Sequence, residues 1–152
     1  MSINRVSKKL VNKLVVHQMV NKGALNNESK FTQLLFQENV ISRRILSLLN
    51  LVEVIINNSQ QITKIKITDK DTEKYTLGQL KILLTKHFNK KDLIDDLSKF
   101  IEYRNNITHK LLKYDNYLKI SSDCIRATTY GEKVIHSLNA NNDELFKIVY
   151  GK

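Results

Sequence analysis

Arg104 stands on the apolar side of a predicted helix, where a charged side chain is not expected. On a helix of about 100° per residue over 93–112, the apolar residues form one wide arc and Arg104 lies near its middle. Asn105 and His109 share one edge of that arc, where their side chains can meet. A guanidinium on an apolar surface costs free energy unless it pairs with a carboxylate or serves in binding or catalysis. Histidine changes charge near neutral pH, which suits proton transfer. Departures of this kind are expected at functional sites, so the three residues are candidates for one.

A purely structural interpretation of these residues stays open. Arg104 could extend past the apolar surface into solvent or pair with a buried carboxylate, and His109 could be an ordinary surface residue. Glu38 and Glu53 are the candidate carboxylates, because both fall on apolar parts of another predicted helix.

The sequence over 103–111, YRNNITHKL, resembles the R-x4-H signature of HEPN domains, in which a polar residue, often Asn, follows the Arg. The sequence over 76–80, TLGQL, and the helix that leads into the motif are also similar to members of that superfamily. The HEPN fold is a small helical bundle that usually dimerises, and the resemblance could cover most of the chain.

The resemblance implies a metal-independent endoribonuclease that uses no cofactor. Active HEPN proteins build their site where the Arg and the His of two subunits meet at the dimer axis. By this resemblance Arg104 binds the scissile phosphate, and His109 acts as general base or acid on the ribose 2′-OH and the leaving 5′-oxygen. Asn105 then orients His109 or the phosphate. The expected products carry a 2′,3′-cyclic phosphate and a 5′-hydroxyl.

Residues near the motif and on one other segment are candidates for RNA binding. Lys110 and Lys113 lie beside the motif, and Lys64 and Lys66 lie on a predicted extended segment, where they could contact the RNA backbone. Tyr103 could stack on a base. For any single lysine a solvated surface is the simpler interpretation, and for the tyrosine it is packing.

The motif does not identify a regulatory partner. In HEPN toxins that nucleotidyltransferase antitoxins control, the motif extends to R-x4-H-x-Y, whereas Leu111 stands at the Tyr position here. We therefore do not expect control by that route, and a different antitoxin or regulatory protein stays open.

Two other functions compete with a toxin or phage-defence ribonuclease. A HEPN domain that no longer cuts could serve as an RNA-binding or protein-interaction module. A basic helical DNA-binding regulator would need a short helix-turn-helix with base-reading side chains. The nearest candidate, 76–87 followed by a turn over 89–92, leads into a helix that is too apolar and too acidic at its start.

Composition narrows both the fold class and the partners. The chain has 152 residues and a net charge of +10, with 41% hydrophobic residues, no proline and four glycines. This length fits one domain over 1–152. The scarcity of glycine and proline disfavours an all-β fold and excludes a glycine-rich phosphate loop. A basic surface favours anionic partners, nucleic acid first and an acidic membrane surface second.

The cysteine, histidine and hydropathy patterns argue against disulfides, metal sites and membrane spans. Cys124 is the single cysteine, so no intrachain disulfide or cysteine-based zinc site is possible, and a reducing cytoplasm is the expected setting. The four histidines are scattered, so no metal site is expected. The N-terminus lacks an unbroken apolar run, and the most apolar stretch, 45–56, is too short and too polar to span a membrane.

Apolar spacing predicts an all-α fold, an antiparallel bundle of four main helices with shorter ones added. The predicted helices cover 3–20, 31–56, 76–87, 93–112 and 125–138, with a short terminal helix after a cap at 141–143. Residues 113–123 are predicted as a polar connection. The alternation of Ile and Lys near 62–68 is a weak signal for a short β-arm. Thr76 and Gln79 match a capping box.

Overall fold

The computed structural model describes residues 28–59, 63–68, 75–110 and 117–151. This part of the chain forms four helices, which are α1 (Glu28–Ser59), α2 (Leu77–His87), α3 (Lys91–Lys110) and α4 (Tyr117–Tyr150). It contains no strand, and the predicted all-α bundle is confirmed. The helix predicted over 3–20 lies outside the described residues.

The long helices α1 and α4 pack along each other and run in the same direction. Near the start of α1, Gln37 Nε2 donates a hydrogen bond to the carbonyl of Thr128 at 2.9 Å. Farther along both helices, Asn142 Nδ2 donates to the carbonyl of Arg44 at 3.1 Å. The parallel course of α1 and α4 departs from the antiparallel arrangement that the sequence predicts.

Helix α3 packs on α4 and runs opposite to it. Before the start of α3, Lys90 Nζ donates to Asn141 Oδ1 at 2.7 Å. Near the other end of α3, the ring of Tyr103 stacks on that of Tyr130. Because α1 and α4 are parallel, α3 is antiparallel to both. The short helix α2 packs against α1 and α3.

Apolar side chains from all four helices form one core cluster. Its largest fully buried members are Phe100, Ile41, Ile45, Leu48, Leu49, Leu80, Leu84, Leu93, Leu97, Leu138 and Val134. Burial of side chains of this size contributes most of the stability of such a bundle. Helix α1 contributes several of these residues, which agrees with the central position predicted for the helix over 31–56.

Helix α4 is one continuous element from Tyr117 to Tyr150. The predictions of a polar connection over 113–123 and of a cap at 141–143 were therefore wrong for the residues that the structure describes. Asparagine favours caps because its side chain can bond to the local backbone. Here that same bonding occurs inside the helix. Asn141 Nδ2 donates to the carbonyl of Ser137 at 2.7 Å, and Asn142 Nδ2 donates to that of Leu138 at 3.0 Å. The helix therefore continues through both residues.

The segment over 63–68 is not a β-arm, because side chains of α1 rather than a second strand satisfy its backbone. Asn57 accepts a hydrogen bond from the Ile65 N–H at 2.7 Å and donates one to the Ile65 carbonyl at 2.9 Å. Glu53 Oε1 accepts from the Ile67 N–H at 2.7 Å. Ile67 is buried, so the segment lies back along α1 and adds to the core. Residue 62 lies outside the described part.

The capping box predicted at the start of α2 is confirmed. Thr76 Oγ1 accepts from the Gln79 N–H at 3.2 Å, and Gln79 Oε1 accepts from the Thr76 N–H at 2.8 Å. These two bonds satisfy backbone donors that a helix start leaves open.

Candidate functional site

Arg104 of α3 reaches across to α1 and forms an ion pair with Glu38. Its Nη2 lies 3.3 Å from Glu38 Oε1. The two side chains are 20% and 31% exposed, so the pair sits at the boundary of the core rather than inside it. The sequence left Glu38 and Glu53 open as partners, and the structure selects Glu38, because Glu53 bonds to the backbone of Ile67 instead.

The packing of α3 explains why an arginine occupies this place. Phe100 and Ile107, about one turn before and after Arg104, are 0% and 2% exposed. The arginine side chain therefore leaves the helix on its buried side and must pass the edge of the core. Only its charged end can reach a partner there, which Glu38 supplies.

The ion pair is compatible with the binding of an additional anion. A guanidinium has five N–H donors in a planar fork, so it can contact a carboxylate and a phosphate at the same time. A pair this exposed contributes at most about 1 kcal/mol to stability, because solvent screens it. Its main consequence is geometric, since Glu38 fixes the direction in which Arg104 extends.

Asn105 and His109 lie on the same helix as Arg104. Asn105 is half-buried, and His109 occupies the last turn of α3. The side chains of His109 and Lys110, and the whole of Lys113, lie outside the described part of the chain. On a regular helix the positions of Arg104 and His109 differ by about 140° in rotation and about 7.5 Å in rise.

Two predicted RNA-binding lysines lie far from this pair within one chain. Lys64 and Lys66 are both exposed on the segment that packs against the end of α1. That segment bonds to Asn57, which lies roughly 28 Å along the helix axis from Glu38. The structure therefore does not bring these lysines to Arg104 within a single copy.

Tyr103 belongs to a surface cluster that the sequence analysis did not find. With Arg126, Tyr130 and Lys133 of α4 it forms what we call the aromatic platform. The two rings stack with centroids 5.8 Å apart, and each has a cation within 6 Å of its centre. The spacing of the α4 residues at i, i+4 and i+7 was the signal that could have shown it.

Cys124 is buried in the core, as the usual behaviour of a free cysteine predicts. Burial, with the charge of Asp123 as a second cause, raises the pKa of its thiol to about 11. A thiol with this pKa is almost wholly protonated at neutral pH, so Cys124 has no nucleophilic character there.

The described ranges hold neither a candidate metal cluster nor a helix that could span a membrane. No group of three or more His, Cys, Asp or Glu residues there could hold a metal ion. None of the four helices in this part of the chain is both long and apolar enough to cross a membrane.

Comparison with known proteins adds no assignment, because no protein-family model, curated protein or solved structure matches the chain.

Proposed function

We propose that the chain is a metal-independent endoribonuclease of the HEPN type, with one HEPN-like domain over 1–152. Arg104, Asn105 and His109 are its site residues. The observation that carries the proposal is the position of Arg104. It lies in the helix with the RNNITH sequence, at the core boundary, where Glu38 orients a guanidinium whose planar fork suits a phosphate.

In the proposed reaction His109 accepts the proton of a ribose 2′-OH, and the 2′-oxygen attacks the adjacent phosphorus. The bond from phosphorus to the 5′-oxygen breaks, and that oxygen takes up a proton from a histidine. The products are a 2′,3′-cyclic phosphate and a 5′-hydroxyl. Arg104 binds the phosphate oxygens and stabilises their charge as the pentacoordinate state forms. Asn105 orients the histidine or the phosphate.

Helix geometry supports a site made by two copies. The positions of Arg104 and His109 in one chain are separated by about 140° around α3, so they lie on different sides of one helix. Two copies related by a two-fold axis can place the motif helices side by side. We therefore propose a homodimer in which the motif residues of both copies line one cleft.

A catalytically silent HEPN module is the second candidate, and the ion pair itself favours it. Arg104 has a structural partner in Glu38 within one chain, so its place in the apolar arc has an explanation without catalysis. In that case the protein would bind RNA or another protein through its basic surface. The two candidates differ in whether His109 is needed for RNA loss.

The biological role that fits the ribonuclease is a toxin or phage-defence effector in the cytoplasm. An enzyme that cuts cellular RNA must be silenced until it is needed. We therefore include an antitoxin or regulatory protein among the proposed partners, with no role for a membrane.

Induced expression in a bacterial host tests this function. Growth and total RNA integrity are compared for the wild type, Arg104→Ala and His109→Ala. His136→Ala and Arg44→Ala are the matched controls, since both residues are exposed on other helices. Circular dichroism and thermal melting confirm that each variant folds.

The wild type and both controls should stop growth and degrade RNA, whereas the two motif variants should do neither. Degradation by the motif variants at the wild-type rate would contradict the ribonuclease. Intact RNA with all five folded proteins would favour the silent module.

A further inference from the structure

The aromatic platform is an ordered series of rings and cations along the seam between α3 and α4. The planes of Tyr103 and Tyr130 are 13° from parallel. The guanidinium carbon of Arg126 lies 5.9 Å from the centre of the Tyr103 ring, and Lys133 Nζ lies 5.3 Å from the centre of the Tyr130 ring. Each ring thus has a positive charge beside it, an attraction typical of cations over aromatic faces.

Helix packing holds these rings in place while the charges stay in solvent. Both tyrosines are half-buried, whereas Arg126 and Lys133 are exposed. Neither cation forms an ion pair with a carboxylate in the described ranges. The platform therefore offers two partly exposed rings beside two positive charges that are not held in ion pairs within this part of the chain.

This combination matches the chemistry of single-stranded RNA. A base stacks on an aromatic side chain, and a phosphate binds a nearby cation. In a duplex the base faces are stacked on one another and cannot reach the rings. Because the tyrosines are already ordered by packing, stacking a base on them costs little additional side-chain entropy.

The platform also lies next to the proposed catalytic residues. Tyr103 directly precedes Arg104, and its position on α3 is about 9 Å along the helix axis from that of His109. A strand held on the platform would therefore pass the end of α3 that carries the motif.

We propose that the aromatic platform binds the single-stranded RNA substrate beside the cleavage site. A base stacks on the tyrosine rings, and the flanking phosphates contact Arg126 and Lys133. This inference rests on the proposed ribonuclease for the identity of the ligand.

The test measures RNA affinity separately from cleavage. Every protein carries His109→Ala, and anisotropy follows a 5′-fluorescein RNA of about 12 nucleotides over a salt series. One double variant combines Arg126→Gln with Lys133→Gln. The matched control combines Lys86→Gln with Lys147→Gln, which removes two exposed positive charges, one on α2 and one about 21 Å along α4 from Lys133.

The platform double variant should bind at least about tenfold more weakly than the control. Its slope of log affinity against log salt should fall by about 1.4, because each phosphate contact on a single strand contributes about 0.7. Tyr103→Leu should lose about tenfold in affinity with an unchanged slope, and Tyr103→Phe should keep the affinity. Duplex RNA of the same sequence should bind more weakly than the single strand.

Equal affinities and slopes for the two double variants, or tighter binding of the duplex, would overturn the proposal that the platform binds single-stranded RNA. Cleavage of the same RNA is scored separately with His109 intact. If the RNA is cleaved but its affinity does not depend on the platform, the ribonuclease proposal is supported and the platform proposal is rejected. If the platform variant binds more weakly but no protein cleaves the RNA, the platform proposal is supported and the ribonuclease proposal is rejected.

Discussion

Gly131 of α4 lies against the side-chain amide of Gln37, at the point where α1, α3 and α4 converge. A Cβ at position 131 would overlap that amide and would stand 2.9 Å from Phe100 Cε1. Gln37 is only 3% exposed and donates to the Thr128 carbonyl, so it cannot move aside without breaking that bond. The contact sets how closely α1 approaches α4. It therefore also sets where Glu38, the next residue of α1, meets Arg104 of α3.

Gly131→Ala should destabilise the protein, although alanine is the better helix former. Overpacking at such a contact costs about 1–3 kcal/mol, which exceeds the gain of about 1 kcal/mol in helix propensity. Chemical denaturation measures the change. Gly78→Ala is the control, because the nearest atom to a Cβ there is Thr76 Oγ1 at 3.9 Å. The control should leave stability unchanged or raise it, and a Gly131→Ala protein as stable as Gly78→Ala would contradict the packing described.

Glu38→Gln should separate the structural role of the ion pair from its effect on RNA. The pair is partly exposed, so its loss should change the free energy of unfolding by less than about 1 kcal/mol. A glutamine at position 38 can still hydrogen-bond to Arg104, but it removes a negative charge that repels phosphate, so RNA affinity should rise in a His109→Ala background. Filter binding measures that affinity.

The substitution Glu144→Gln is the control for charge alone, since it removes the same negative charge from an exposed position on α4. A larger gain in affinity for Glu38→Gln than for Glu144→Gln is expected. Equal gains would show that only net charge matters and that Arg104 does not contact RNA.

Cys124 should make stability fall at alkaline pH. Burial raises the pKa of its thiol from 9.0 to about 11 in the folded protein, so the unfolded chain loses this proton first. The stability linked to the neutral thiol is therefore complete below pH 9 and is lost as pH rises through 11, by at most about 2.7 kcal/mol. Urea denaturation of the wild type and Cys124→Ala across this range measures it. A stability difference between the two that does not change with pH would contradict the burial of the thiol.

Sequence patterns predicted the elements whose signals are local. The capping box at Thr76 and Gln79 depends on neighbouring residues, and it marked the start of α2 correctly. The apolar arc over 93–112 likewise predicted that Arg104 lies on the buried side of α3, and the structure places its charged end at the edge of the core. The continuity of α4 was missed, because Asn141 and Asn142 bond to the same local carbonyls whether they cap a helix or continue one.

The features that depend on distant residues could not be predicted. The choice of Glu38 over Glu53 as the partner of Arg104 follows from how α1 and α3 are oriented, which no local pattern encodes. The stacking of Tyr103 on Tyr130 is of the same kind, since α3 and α4 must first run antiparallel. The presence of these helices was therefore predictable, whereas the full length of α4 and the contacts between helices required the structure.

Incubation of the purified protein with single-stranded RNA in EDTA is the decisive test of metal-independent cleavage by His109. Mass spectrometry of the fragments identifies the new ends. The wild type and His136→Ala should give 2′,3′-cyclic phosphate and 5′-hydroxyl ends, and His109→Ala should give no fragments. Intact RNA with the wild type, or the same fragments from His109→Ala, would rule out the proposed ribonuclease.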